Sequence, residues 1–261
     1  MKVKNLKSIF VLTAAMLSLT FSVAQAADFS DVPVDSKYYN AISEISGLGV
    51  VTGYDDGTFK PENNITKAEL SVMIARLTPY DFFDSSQYPQ LFKDVSSDYW
   101  AYPYISKAAY CGVFSTFENT PYSDINLGTT TVTVPNIEND IFLPDSNVTY
   151  AEAVKAITTL LGYNGIAEKN GGFPDGYLFT ARVFGFTESV DEHQSDEYIS
   201  RADFSMIVCN ALDIHRCVEG TEEQNAIDYN RPYIKYDGYV IYAAVNDDTL
   251  RIIMNPDPVI E

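Results

Sequence analysis

The most regularly spaced polar residues lie in three copies of one six-residue pattern. Ile65-Thr66-Lys67-Ala68-Glu69-Leu70, Val148-Thr149-Tyr150-Ala151-Glu152-Ala153 and Ile199-Ser200-Arg201-Ala202-Asp203-Phe204 each read apolar, hydroxyl, variable, alanine, acid, apolar. That spacing does hydrogen-bond chemistry at a helix start. Thr66, Thr149 and Ser200 can accept from the backbone N–H three residues on, while Glu69, Glu152 and Asp203 reach back to the N–H of the cap. The acids also sit where the helix dipole favours negative charge. One such box is common, whereas three with matched flanks imply three copies of one structural unit.

Bond-breaking chemistry has no comparable signal. With 36 acidic residues a carboxylate pair for glycoside hydrolysis could be nominated anywhere, and without geometry the nomination carries nothing. No Gly-x-Ser-x-Gly, His-Glu-x-x-His or phosphate-binding glycine loop occurs. Asp55-Asp56-Gly57 starts like a calcium loop but lacks ligands at alternate positions. The three cysteines, Cys111, Cys209 and Cys217, show no zinc spacing and too small and odd a count for a disulfide framework. Cys209 follows an apolar run and is expected as a buried small hydrophobe, with a Cys209–Cys217 bridge left open. His193 and His215 read as surface residues. The expectation is a non-enzyme without metal or cofactor.

The boxes must be positioned by repeated elements. The first unit opens at Phe29-Ser30-Asp31-Val32. A helix from about Lys37 places Tyr38, Ile42 and Ile45 at helical spacing, and Gly47 and Gly49 end it. A turn-rich loop from Gly53 to Phe59 leads to the capped helix, whose stripe is Leu70, Met73, Ile74 and Leu77. Pro79 stops it, and residues 80–90 read as a linker. In the second unit Phe92-Lys93-Asp94-Val95 matches Phe29-Ser30-Asp31-Val32, Tyr99-Trp100 matches Tyr38-Tyr39, and Cys111-Gly112-Val113 matches Leu48-Gly49-Val50. Residues 114–147 are inserted, with a strand or hairpin expected around Thr129–Val134. Its capped helix carries Val154, Ile157, Leu160 and Leu161 and ends at Gly162, a C-cap. The third unit has a helix from about Tyr177 with Leu178, Ala181 and Val183. An acidic loop then leads to a capped helix with Phe204, Ile207, Val208, Ala211 and Leu212. A β-rich tail follows: Tyr233–Val245 and Thr249–Met254 pair across a turn at Asn246-Asp247-Asp248. The expected domains are therefore a signal at 1–26, units at 27–80, 88–163 and 170–214, and the tail at 215–261.

Lys2, Lys4 and Lys7, the apolar run Ile9–Phe21 and Ala24-Gln25-Ala26 form an export signal cleaved before Ala27. Its loss removes three lysines and no acid, taking the net charge from −19 to −22. Such a surface repels nucleic acid and anionic membrane, so an anionic ligand needs local positive sites. No later stretch is long and apolar enough to cross a bilayer, so the reading is a secreted protein without membrane insertion after signal cleavage.

The first unit, from its Asp31-Val32 through Leu48-Gly49-Val50-Val51, Gly53-Tyr54-Asp55-Asp56-Gly57-Thr58-Phe59-Lys60-Pro61 and Ile65-Thr66-Lys67-Ala68-Glu69-Leu70, resembles an S-layer homology repeat. The second unit matches at both ends and the third keeps Ile199-Ser200-Arg201-Ala202-Asp203, so the resemblance covers about residues 28–214. It implies a mainly α fold. Three repeats would form a pseudo-threefold spindle with a central bundle of three capped helices and three helix-loop prongs. A β insertion in the second repeat and a C-terminal β-hairpin would be added to it. It also implies non-covalent attachment to Gram-positive cell walls by binding secondary cell-wall polysaccharide, often ending in a pyruvylated, anionic sugar, in grooves between prongs.

The family's basic groove residue falls on Lys67 and Arg201, at a helix first turn where free N–H groups favour an anion. In the second unit that position is Tyr150, which cannot pair with a carboxylate as a cation does. The aromatic position is Trp100 in the second unit and Tyr38 or Tyr39 in the first. Trp100 reads equally as a packing residue, and the competing reading of Lys67 and Arg201, somewhat the less favoured, is a solvated helix-start charge. A second function class keeps the fold but binds S-layer or other cell-surface proteins instead of glycan.

Overall fold

A computed structural model describes residues 29–78, 90–114, 122–126, 131–135, 141–214, 216–218, 233–236 and 239–242. The signal at 1–26, nearly all of the 80–90 linker, His215, the turn at 246–248 and the strand at 249–254 lie outside them.

The described residues are mainly helical. They form α1 (Tyr39–Gly47), α2 (Lys67–Leu77), α3 (Tyr102–Tyr110), α4 (Tyr150–Leu160), α5 (Asn164–Lys169), α6 (Asp175–Phe184) and α7 (Arg201–Ala211). Short strands complete them: β1 (Tyr122–Asn126), β2 (Thr131–Pro135), β3 (Cys217–Val218), β4 (Tyr233–Tyr236) and β5 (Tyr239–Tyr242).

α2, α4 and α7 are the three helices that follow the boxes. Thr66 and Thr149 cap reciprocally: each hydroxyl accepts from the N–H of Glu69 or Glu152, whose carboxylate accepts from the cap N–H at 2.9 Å. Ser200 accepts from the Asp203 N–H, but the return contact differs from expectation. Asp203 is one methylene shorter than glutamate, and its carboxylate instead accepts from the Ser200 hydroxyl at 2.7 Å. Caps of this kind stabilise a helix by roughly 1 kcal/mol each.

The first two N–H groups of each helix are claimed by a neighbouring unit. Lys67 and Ala68 donate to the carbonyls of Ser146 and Pro144. Tyr150 and Ala151 donate to Glu197 and Ser195, and Arg201 and Ala202 to Asn63 and Pro61. The residues before the caps close a circle: Val148 donates to Ile65 (3.0 Å), Ile65 to Ile199 (3.2 Å) and Ile199 to Val148 (3.1 Å). Each shorter helix also packs on the capped helix of another unit, α3 on α2, α6 on α4 and α1 on α7.

The stripes expected on α2 and α7 are buried, as are Val154, Ile157 and Leu161 of the second unit, while Leu160 is half-buried. Together with Ile42, Ile45, Phe59 and Phe186 they make one core. A smaller core joins Ala68 and Val72 of α2 to Phe92, Val95, Ile105 and Phe142. The turns before α2 and α4 are built alike. The Asp31 carboxylate accepts from the N–H groups of Phe59 and Lys60, and that of Asp94 from Phe142 and Leu143, all within 2.8 Å. Lys60 and Leu143 take φ of 58° and 59°, a left-handed conformation that a branched side chain resists, held there by the aspartates.

Several expectations are corrected. α5 had no counterpart in the sequence reading, and α6 starts at Asp175 rather than Tyr177, with Val183 facing solvent. Tyr233–Val245 is not one strand: β4 and β5 within it pair antiparallel, with Tyr236 opposite Tyr239. Within the insertion, β1 pairs antiparallel with β2. Cys209 is half-buried, its Sγ 3.2 Å from Glu44 Oε2, and Cys111, Cys209 and Cys217 are not joined in disulfides.

Gly162 does more than end α4. It has φ +82°, and an added Cβ would lie 2.2 Å from the Cys217 carbonyl oxygen, where β3 docks through Cys217 N–H to Leu161 O. Gly162→Ala should therefore lower stability by about 2 kcal/mol in chemical denaturation. Peptide mapping after thiol labelling should show the normally buried Cys217 modified faster; an unchanged rate would mean that β3 docks elsewhere.

Candidate functional site

The cap residues, the residue after each cap and the acid two places later form three contacts between units. Each pairs the acid of one box with the first helical residue of another. Arg201 faces Glu69 at 3.9 Å, Lys67 faces Glu152 at 3.8 Å, and Tyr150 lies beside the third acid, Asp203, through His193.

The first contact opens into a cleft of about 230 Å³, lined by Val50 to Tyr54, Glu69, Val72, Met73, Arg76, Trp100 and Arg201. Arg201 is buried at its base. One terminal nitrogen donates to the Thr52 carbonyl at 2.6 Å, and the guanidinium stacks over Phe59 at 4.4 Å and Tyr54 at 5.3 Å. Its Nε has no hydrogen-bond partner. Burial lowers the arginine's hold on its proton, and Tyr54 and Glu69 oppose that shift; guanidinium stays charged at physiological pH. Tyr54 donates to Glu69 at 3.0 Å, and burial followed by the Glu69 charge raises its pKa. Arg76 donates to the Val50 carbonyl at 3.3 Å from the opposite side of the cleft. Trp100 stands at the rim, 59% exposed, which favours a contact role over core packing.

The second contact is more open. The Lys67 side chain is 27% exposed. One turn on from Glu152, Lys155 holds its ammonium 5.1 Å from the Phe173 ring and 5.3 Å from that of Tyr177. Among the described residues no arginine or lysine pairs with Asp203 at the third contact. Its carboxylate accepts from the Tyr38 hydroxyl at 2.6 Å, and His193 lies 3.2 Å away. Burial and this carboxylate push the Tyr38 phenol well above its usual range.

The sequence-predicted residues are thus partly gathered. Arg201 and Trp100 share the first cleft, while Lys67 and Tyr150 belong to the other two contacts. Tyr39 lies elsewhere, half-buried against the main core at the start of α1. Backbone bonds show why: Tyr39 donates to Ser36 as Tyr102 does to Tyr99, and Val50 to Ile45 as Val113 to Ala108. On that register the counterpart of Trp100 is Lys37, two residues off the aromatic match. The helix starts also offer no free N–H groups to an anion, since the capping contacts and neighbouring carbonyls use them. Any anion selectivity must come from side chains. His193, read as a surface residue, is only 14% exposed. The missing cation at Tyr150 was the one signal that Asp203 needed a partner from elsewhere.

Among the described residues no cluster of His, Cys, Asp and Glu is arranged to hold a metal, and no helix is long and apolar enough to cross a membrane.

A family model described as the S-layer homology domain matches residues 28–71 and 91–120. The chain is 26% identical over 227 residues to a cell surface protein of Thermoanaerobacter kivui, covering 84% of this chain and 26% of that protein. It is 24% identical over 239 residues to the middle cell wall protein of Brevibacillus brevis, covering 90% of this chain and 20% of that protein. Over 68 residues it is 38% identical to the outer membrane protein SlpA of Deinococcus radiodurans, covering 26% of this chain and 6% of that protein. The chain thus spans about a quarter or less of the length of these relatives.

The geometry separates Arg201 from Lys67. Arg201→Lys keeps the charge but loses the planar fork on Thr52 and Glu69, and should cost about 2 kcal/mol in urea unfolding. Lys67→Ala removes a part-exposed pair and should cost less than about 1 kcal/mol. Equal costs would show that Arg201 is not integrated into the inter-unit contact.

Proposed function

The chain is an S-layer homology domain protein, and we propose that it attaches non-covalently to the cell envelope by binding secondary cell-wall polysaccharide in the first cleft. The observation that carries this is the juxtaposition of an exposed Trp100 with Arg201 and Arg76 in one concave site. An indole face offers a platform for a sugar ring, and two guanidiniums against one Glu69 leave a net positive cleft on a chain of formal charge −19. A glycan ending in a carboxylate, such as a pyruvylated sugar, fits that polarity. Lys67 with Lys155 and Phe173 makes the second groove a weaker version of the same combination. Tyr150 leaves the third without a permanent cation on Asp203.

The closed circle of backbone bonds and the packing of each shorter helix on another unit's capped helix support a pseudo-threefold spindle. Its three repeats would span about residues 27–80, 88–163 and 170–214. In this reading residues 1–26 direct export, and the module works at the cell wall or S-layer of a Gram-positive cell. The named relatives are surface, wall and outer-membrane proteins, and catalysis has no part in the proposed role.

Sedimentation with purified wall polysaccharide, with and without its pyruvyl groups, tests the reading. Retention should be strong on the pyruvylated polymer and weak after depyruvylation. Trp100→Ala should weaken it about tenfold, a loss of roughly 1.4 kcal/mol, without changing stability. Equal retention on both polymers would sink the charged-sugar reading. Retention only by other surface proteins would favour an assembly module.

A further inference from the structure

The third contact has Tyr150 where the other two have a cation, and the structure supplies a substitute from the loop before α7. Glu69 and Glu152 face Arg201 and Lys67, which keep their charge throughout the physiological range. At the equivalent place beside Asp203 the Tyr150 ring stacks on His193, centroids 5.1 Å apart. The imidazole sits between two carboxylates. Its Nε2 is 3.2 Å from Asp203 Oδ2 and its Nδ1 is 3.5 Å from Glu197 Oε2. A neutral imidazole has one N–H to donate, whereas the protonated ring has two. Only the imidazolium can donate to both acids.

The surrounding groups come from the loop itself and from four helices. Asp191 and Glu197 lie on the same loop as His193, and Asp203 is on α7. The Tyr38 hydroxyl, at the start of α1, contacts Asp203 and Asp191, and Lys37 pairs with Asp191. Arg182 of α6 acts on Tyr150 of α4. Three carboxylates therefore face the ring against two cations, neither of which pairs with Asp203.

We propose that His193 is the proton-dependent third cation of the inter-unit contacts. Protonated, it bridges Asp203 and Glu197 and fastens the 188–199 loop to α7 beneath Tyr150 of the second unit. Neutral, it can hold only one of the two acids, and the contact between the third and second units loosens while those at Glu69 and Glu152 do not change. His193 thereby sets the third groove apart in pH response as well as in charge.

Thermal unfolding between about pH 5.5 and 8, the range over which histidine changes charge, tests this on the wild type, His193→Gln and the double variant His193→Gln/Tyr150→Lys. The wild type should exceed His193→Gln by about 3 °C at the acid end, with the gap closing as pH rises. The double variant, with a permanent cation at the third contact, should hold its midpoint across the range. A gap independent of pH would overturn the proposal. Amide hydrogen exchange on the wild type gives a second test, independent of any variant. After correction for intrinsic rates, protection of residues 200–204 should fall with rising pH relative to residues 66–70, and parallel behaviour of the two segments would also overturn it.

Discussion

Three backbone hydrogen bonds, joining Val148 to Ile65, Ile65 to Ile199 and Ile199 to Val148, close the ring on which everything else is built. A helix start leaves N–H groups without intrahelical partners, and burying them unpaired costs free energy comparable to a lost hydrogen bond. Here each unit answers that demand for another. The carbonyls of residues 61–63, 144–146 and 195–197 take the first two N–H groups of α7, α2 and α4. The hydroxyl caps take the third. No capped helix is satisfied within its own unit, so the units are mutually obligatory.

The ring also fixes where the functional side chains can be. It brings the first residue of one capped helix beside the acid of another, which makes a charge pair at two of the three junctions, Arg201–Glu69 and Lys67–Glu152. In the first junction Arg201 is buried, held by Thr52, Glu69, Phe59 and Tyr54. That residue is both part of the scaffold and the floor of the cleft. A ligand would meet an arginine whose position is already set, so little ordering cost is left for binding. Trp100 and Arg76, at the walls, are freer to serve contact alone.

Much of this was legible in the residues. The boxes are local, hydrogen-bonding motifs whose meaning does not depend on distant context, and apolar periodicity identified a buried stripe on each capped helix, although Val72, Ala156, Thr158, Ser205 and Met206 are buried outside those stripes. Less legible was everything set by pairing between units. The cap of Ser200 with Asp203 looked equivalent to the others until the length of the side chain mattered. Trp100 was matched to Tyr39 by aromatic character, although helix register places it with Lys37. His193 had no periodicity to mark it, because its partners lie on other elements. α5 is six residues long and has no side-chain cap bond, which leaves little in the sequence to announce it.

The packing of α1 on α7 has a consequence for how the chain reaches its fold. Tyr38 and Asp203 touch across 165 residues, whereas α3 meets α2 and α6 meets α4 over short sequence separations. Contacts of large sequence separation form late, since a long loop must close before they reward it. α1 is therefore made early in synthesis and its packing completed last. Until α7 arrives, the apolar face formed by Ile42 and Ile45 has no permanent cover, and the nascent chain carries that exposed surface while the second and third units are made.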